Sequence, residues 1–392
     1  MITENKKCLA CGNDELTQVL DLKNQPLANY YLSSPDEPEQ LYPLKLLFCE
    51  HCTHLQLSHI VHPDNLFKNY LYVSGTSKTG MKHFEEFVPF TEKYVQNAKT
   101  VLDIACNDGA QLSFYKQKGY ETYGIDPAEN LLELSSQQGN IICDYLTEDN
   151  IKSFGVQFDM ILAQNVFAHN SYPVQFLEYC KNVVSDSGRI FIQTSQANMI
   201  ANNEFDTIYH EHLSFFSVKS MAACVKRAGL ALIDVVRMPI HGTSFIFVIG
   251  KEGDRSEEFI EKEMPLRLNK ELMFYWNNVY KIISDLKFVI DEYRYKGYKI
   301  IGYGAAAKGS TVLNFGQIKL DYIVDDNPLK HGLYTPGMHI PIKHPDAILE
   351  ENEKIVIVPL AWNFYDEIRS NVLSKKKNVE FIRYFPKIRI DK

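Results

Sequence analysis

Tyr209-His210-Glu211-His212 sets two imidazoles, a carboxylate and a phenol side by side in the chain. A histidine near neutral pKa takes a proton at cellular pH. A neighbouring carboxylate orients it and raises its basicity, and a tyrosine hydroxyl can donate to a developing oxyanion. Upstream stand VLDIACNDG (Val101–Gly109) and YGIDP (Tyr123–Pro127). A glycine-bearing turn after one buried strand, with an acid closing the next strand, is a nucleotide-binding arrangement. The turn lets backbone approach the ligand, and the carboxylate takes ribose hydroxyls. Here the turn is Cys106-Asn107-Asp108-Gly109, preceded by Asp103 in the strand, and the acid is Asp126. The GxGxxG of a dinucleotide site is missing. D-I-x-x-N-D-G is the methyltransferase form of the same solution and calls for S-adenosylmethionine. Asp144 is then expected near the adenine, and Asn165, with Gln164 and Phe167, at the methionine end. A methyl donor beside a crowded ionisable cluster implies deprotonation of a carbon or heteroatom next to an electrophilic methyl group.

Other side chains join or compete with this reading. His169, in AQNVFAHN, falls at the edge of the presumed cleft, although a lone histidine there is more often a satisfied loop residue. His210 and His212 also form an HxH pair that needs further ligands to hold a metal, and a packing role for the segment is a third reading. Cys8-x-x-Cys11 and Cys49-x-x-Cys52 are two tight turns that complete a tetrahedral four-thiolate zinc site. Redox use would need a thioredoxin-like unit, and no such pattern surrounds either pair. Four thiolates leave no open position, so the zinc is structural, and zinc-coupled folding contributes on the order of 10–16 kcal/mol in small peptides. Cys106, Cys143, Cys180 and Cys224 read as buried small hydrophobes. GYGAAAKGS (Gly302–Ser310) is a strand, a glycine turn and a helix start, which makes an anion site from backbone N–H groups. If it binds a ligand, that ligand is a diphosphate, with Tyr303 in the turn and Lys308 as counter-charge; simple strand–helix packing is the alternative. The stretch from Leu66 to Phe87 is either a linker or a lid, in which Tyr70, Tyr72, Ser74 and Lys78 hydrogen-bond a polar ligand.

These residues need a scaffold. The chain has 392 residues, 45% hydrophobic and 23% charged, an ordinary globular composition and too long for a single core. A net charge of −8 lacks the electrostatic footprint of nucleic-acid binding and gives no attraction to anionic membranes. The start, MITENKKCLACG, has no apolar signal region, and no apolar run approaches the ~20 residues of a membrane span. A cytoplasmic protein is expected; oligomeric state is not legible. Strands are expected at Thr100–Ile104, Glu121–Ile125, Asn140–Cys143, Phe158–Ala163, Gly188–Thr194 and Ser244–Ile249, with helices between the early ones. That alternation is an α/β fold with a parallel sheet, whose ligands bind beyond the carboxyl ends of the strands. Asp254–Lys296 reads as a long helix or pair, with Leu266, Leu272, Trp276, Val279, Ile283, Leu286 and Val289 in helical rhythm. A second α/β layer follows, with strands Tyr298–Gly302, Tyr322–Val324, Lys354–Pro359 and Val379–Phe385. The expected units are a zinc-binding domain (1–65), a Rossmann-like methyltransferase domain (66–253), and a helical bridge with a second Rossmann-like domain (254–392).

Taken together, CxxC…CxxC, YLYVSGTSKT…HF, DIACNDG with GIDP, NVFAH, FDTIYHEHLSFFS, YGAAAKG and DDNPLKHGLYTPGMHIPI (Asp325–Ile342) resemble the nucleotide-sugar C-methyltransferases that build 3-C-methyl branched deoxysugars. The resemblance covers nearly the whole chain. It implies S-adenosylmethionine as donor and a nucleotide-linked 4-keto-6-deoxy sugar as acceptor, carried by dTDP or GDP. It implies His212 as base, with Tyr209, Glu211 and His169 lining the same site. The chain departs from the family pattern at His241-Gly242-Thr243-Ser244-Phe245-Ile246, where the usual HGGS is followed by Leu-Arg; His241 is kept for the acceptor site and the arginine is absent. Two other readings compete: O- or N-methylation of a nucleotide sugar, and a zinc-ribbon binding module with degenerate α/β units.

Overall fold

The structure is a computed structural model that describes residues 2–67, 73–76, 78–194, 199–240 and 243–392. Tyr70, Tyr72 and His241 lie outside the described residues. Apolar runs such as Thr100–Ile104 and Phe158–Gln164 are buried on both faces, as a parallel strand between two helix layers must be. They form the middle of a seven-stranded sheet. Its order is Ala231–Met238, Ser244–Gly250, Val184–Thr194, Phe158–Gln164, Thr100–Ile104, Glu121–Ile125, Asn140–Ile142. The strands from Val184–Thr194 onward are parallel; Ser244–Gly250 runs against them, and Ala231–Met238 pairs against it in turn. The expected strands fall within a few residues of those observed, and Ala231–Met238 is an addition.

The second α/β unit has six strands ordered Ile342–Lys343, Tyr322–Val324, Tyr298–Tyr303, Lys354–Pro359, Glu380–Arg383, Arg389–Asp391. All pairs are parallel except the last. The chain reverses direction across the sheet between Tyr298–Tyr303 and Lys354–Pro359, where a crevice opens beyond the strand ends.

At the N-terminus, Thr17–Gln25, Tyr42–Cys49 and His54–Leu57 form an antiparallel sheet. Its fourth strand, Ser214–Phe215, comes from far along the chain and pairs with His54–Leu57. One apolar core runs through this sheet, the segment from Met199 to Phe215, and the C-terminal unit. The helix Met273–Tyr295 spans that core, burying Tyr275, Val279, Ile282, Leu286 and Ile290. Trp276, expected on the buried stripe, is 45% exposed: the helix turns Tyr275 inward instead. No helix among the described residues is long and apolar enough to cross a membrane.

Candidate active site

The donor turn is built from backbone constraints. Ala105, Asn107 and Gly109 all take left-handed φ, at 62°, 53° and 78°. Asp126 holds the turn closed: its carboxylate accepts the backbone N–H of Asn107 and of Ala128, both at 2.8 Å. Burial raises the Asp126 carboxyl above the usual range, against the pull of those two N–H groups. Burial, with the charges of Asp126 and Asp108, pushes Asp103 well above it.

A cavity of about 530 Å³ opens over this turn, lined by Asp103, Cys106, Asn107, Asp126, Asp144 and Asn165, a size suited to a small-molecule ligand. Asp108 and Gly109 stand behind the lining. Asp108 is committed to the N–H groups of Gly75 at 2.9 Å and Ala110 at 3.1 Å. A side chain at position 75 would meet the Asp108 carboxylate at 2.6 Å, so only glycine lets that segment lie on the turn. Ser74, whose N–H donates to Asn107 at 2.9 Å, faces the donor cavity. The short helical turn Ser74–Thr76 folds it over the glycine loop.

A second cavity, about 1070 Å³, lies between the three units. Asn29, Tyr31 and Glu39 enter it from the N-terminal sheet; Tyr209, Glu211 and His212 from the YHEH segment; and Tyr303, Lys308, Asp325 and Lys330 from the C-terminal unit, with Lys78 at its edge. Asn165 and His169 line both cavities. Each carries a buried polar atom, Asn165 Oδ1 and His169 Nε2, with no partner among the described residues. Burial lowers the His169 pKa to about 4, so its ring is neutral. It stacks on Phe67 and sits 5.0 Å from the His212 ring.

Every unit anchors the YHEH segment. Thr311 of the helix Ala307–Gly316 donates to the Ile208 carbonyl at 2.9 Å. Asn29 donates to Glu211 at 2.6 Å. Leu213 bonds the Ala168 carbonyl through its N–H and accepts from Leu57 through its own carbonyl, at 2.8 and 2.9 Å. Within this frame His212 is only 5% exposed. Its Nδ1 lies 2.6 Å from the Thr207 carbonyl, which accepts but cannot donate, so Nδ1 carries the hydrogen. Nε2 is therefore the acceptor, and the Tyr209 hydroxyl donates to it at 3.0 Å. The arrangement fixes one tautomer with a basic nitrogen.

His210 turns the other way. Its Nε2 lies 3.3 Å from the Tyr42 carbonyl, and burial lowers its pKa to about 4. The HxH pair therefore splits, one imidazole to the core and one to the cleft. Among the described residues the cluster able to hold a metal is Cys8, Cys11, Cys49 and Cys52.

Those four sulfurs all lie within 4.8 Å of one another, with Cys8–Cys52 and Cys11–Cys49 at 3.6 Å. A tetrahedron with Zn–S bonds of about 2.3 Å has edges of about 3.8 Å, so the donor set fits structural zinc. Its turns dock on the central unit. Arg227 donates to the Ala10 carbonyl at 2.9 Å, and the Thr53 and Ser217 hydroxyls meet at 2.7 Å. The metal unit thus braces the strand that follows His212.

The C-terminal turn gives Tyr303 a hydrogen bond to Asp326 at 3.0 Å; burial raises the phenol's pKa. Lys308 Nζ is buried without a hydrogen-bond partner among the described residues and lies 4.8 Å over the Trp362 ring. Asn29 and Tyr31 went unread in the sequence. The Tyr31 hydroxyl donates to the Ala305 carbonyl at 2.5 Å, which ties the N-terminal sheet to this turn.

Three family models match successive parts of the chain: "Putative zinc binding domain" over residues 8–67, "Methyltransferase domain" over 59–235 and "C-methyltransferase C-terminal domain" over 239–386. The C-methyltransferase NovU of Streptomyces niveus is 26% identical over 385 residues, covering 93% of this chain and 91% of NovU. The chain is an S-adenosylmethionine-dependent C-methyltransferase. A ubiquinone biosynthesis O-methyltransferase of Mesorhizobium japonicum is 31% identical over 99 residues, 24% of this chain and 40% of that protein. Among solved structures, an S-adenosylmethionine-dependent methyltransferase from Clostridium acetobutylicum matches with a TM-score of 0.36 and 12% identity, covering 44% of this chain and 92% of that one.

Proposed function

We propose that this C-methyltransferase acts at C-3 of a dTDP- or GDP-linked 4-keto-6-deoxy sugar through an enolate, in the making of a branched sugar. The observation that carries the reading is the His212 tautomer: a basic Nε2 in the acceptor cleft, beside His169 and near Asn165, both of which also line the donor cavity.

S-adenosylmethionine supplies an electrophilic methyl group. Asp126 takes its ribose hydroxyls, Asp144 lies toward the adenine, and Asp103, Cys106, Asn107 and Asn165 line the remainder, with Asp108 and Gly109 shaping the turn. A C–H beside a ketone is acidic because the carbanion delocalises onto oxygen. His212 Nε2 removes the C-3 proton, and the electrons move to the C-4 oxygen. As the acceptor enters, the Tyr209 hydroxyl exchanges its bond from Nε2 to that oxygen, where it stabilises the developing charge. Glu211, held by Asn29, and neutral His169 complete the walls. The enolate carbon then forms its bond to the methyl carbon as the sulfur–methyl bond breaks, and the ketone is restored. Holding both reactants in line supplies much of the rate. Lys78, Tyr303 and Lys308 face the nucleotide end of the acceptor. The chain divides at about residues 65 and 253 into the zinc, methyltransferase and C-terminal units, and the zinc is structural.

The test is acceptor deuterated at C-3. Methylation at that carbon must release the label to solvent; a methylated product that retains it refutes the proposal and points to oxygen or nitrogen as the site.

A further inference from the structure

One buried carboxylate has no part in the reaction as described. Asp206, fully buried in the short helical turn Phe205–Thr207, accepts the indole N–H of Trp362 at 2.6 Å. Its second oxygen has no partner among the described residues. Lys308 Nζ lies over the ring of the same tryptophan, buried and likewise without a hydrogen-bond partner among the described residues. The indole thus carries an acid on its N–H edge and a cation over its face. Burial raises the Asp206 carboxyl to about 6, while the Lys308 charge and the indole hydrogen bond pull it down, so the group is ionised at neutral pH.

Stability alone gives little reason for such a pair. Replacing buried opposite charges by apolar side chains is often neutral or stabilising, and an unpaired buried oxygen costs free energy. What an ionised oxygen does supply is a short, strong and directed hydrogen bond. The turn that bears it is gripped by the C-terminal unit on either side of Thr207. The Phe205 ring meets Phe315 and Phe385 at 6.2 and 5.7 Å. Asp206 takes Trp362, and the Ile208 carbonyl takes Thr311. Thr207 sits among these anchors, and its carbonyl lies 2.6 Å from His212 Nδ1. The His212 tautomer is therefore as well defined as the place of that carbonyl.

Resting on His212 as the proposed base, we infer that Asp206 and Trp362 are positioning residues: their hydrogen bond holds the Thr207 carbonyl where it keeps the hydrogen on His212 Nδ1 and leaves Nε2 the basic nitrogen. Neither residue lines either cavity, so both act through the turn and not on the acceptor. Ala361 and Asn363, on either side of Trp362, do line the acceptor cavity. The C-terminal unit thus sets the base as well as enclosing the substrate.

Trp362→Phe keeps a ring in place and removes the N–H. It is expected to lower kcat by about 10-fold or more, the size of one hydrogen bond to a charged group, with acceptor KM and S-adenosylhomocysteine affinity unchanged. Made in the His212→Ala chain, the same substitution is expected to cause no further loss, because residues that act through one imidazole lose their effect with it. A packing defect would lower turnover equally in both chains. Parental kcat in Trp362→Phe, a loss carried by KM, or an equal further loss in the His212→Ala chain overturns the inference and leaves the base where it is. Undiminished turnover of His212→Ala alone overturns the base and this role of Asp206 and Trp362 with it.

Discussion

The two α/β units close their first turn in the same way. At the end of the second strand of each, a carboxylate accepts one N–H from the turn and one from the residue two positions after itself. Asp126 takes Asn107 and Ala128, both at 2.8 Å; Asp325 takes Ala305 at 2.7 Å and Asn327 at 2.8 Å. The surroundings then diverge. Asp126 has Asp103 and Asp108 for neighbours, whereas Lys330 stands 3.5 Å from Asp325 and donates to the Ala305 carbonyl. One backbone solution is therefore dressed with opposite charge. The central turn suits a ligand bringing hydroxyls and a cation, and the C-terminal turn suits one bringing phosphates. The Tyr209–His212 segment belongs to neither turn and enters the larger cavity alongside the C-terminal one.

The largest effect is expected at that segment. His212→Ala should lower turnover by about 10²–10⁴-fold, the range of a positioned general base, while S-adenosylhomocysteine affinity, measured by calorimetry, stays unchanged. Undiminished turnover would return the chemistry to one of the turns. Next in size is the metal. Chelation should lower the melting temperature and, because Ser214–Phe215 belongs to the N-terminal sheet, abolish turnover as well. Purified protein without stoichiometric zinc would contradict the four-cysteine assignment.

The comparison itself is sharpened by a pair of variants. Asp126→Ala should weaken S-adenosylhomocysteine by about 10–100-fold, as expected for a lost hydrogen bond to a charged group. Asp325→Ala should leave that affinity alone and raise the acceptor KM. Equal effects of the two variants on the donor would dissolve the distinction. The smallest effect concerns pH. His169 and His210 are held at about 4 by burial, below the unfolded value of about 6.5. Between those values the unfolded chain binds more protons, so stability rises with pH and is lost as pH falls through the window. The slope is up to about 1.4 kcal/mol per pH unit for each histidine. Because buried Asp206, raised to about 6, acts with the opposite sign in this window, the check is the difference in pH slope of the melting temperature between the parent and His210→Gln; identical slopes would show that His210 is not buried neutral.

Much of this was legible in order along the chain. Thr100–Ile104, Glu121–Ile125, Tyr322–Val324 and Lys354–Pro359 are read to the residue, because buried parallel strands are continuous apolar runs with turn residues at both ends. The CxxC pairs announce their cluster because two ligands in each tight turn need little else from the fold. Ser214–Phe215 was not legible: two residues carry no period, and the partner strand is far away in sequence. Asn29 and Tyr31 escaped for the same reason, as their partners, Glu211 and Ala305, belong to other units. Which cavity Ser74 meets was not legible either, since the hydrogen-bonding capacity of a side chain says nothing about its surroundings.

The order of residue types determined which chemistry is available here: a donor turn, a thiolate cluster, and an imidazole among ionisable neighbours. All of these are local properties of spacing. Only the tertiary structure decided which histidine of the pair faces the cleft. His210 and His212 are the same side chain two positions apart, and what separates them is that the Thr207 carbonyl fixes one tautomer while the Tyr42 carbonyl holds the other ring in the core. Carbonyl groups carry no signature in a sequence, and their placement depends on contacts between segments that only folding brings together.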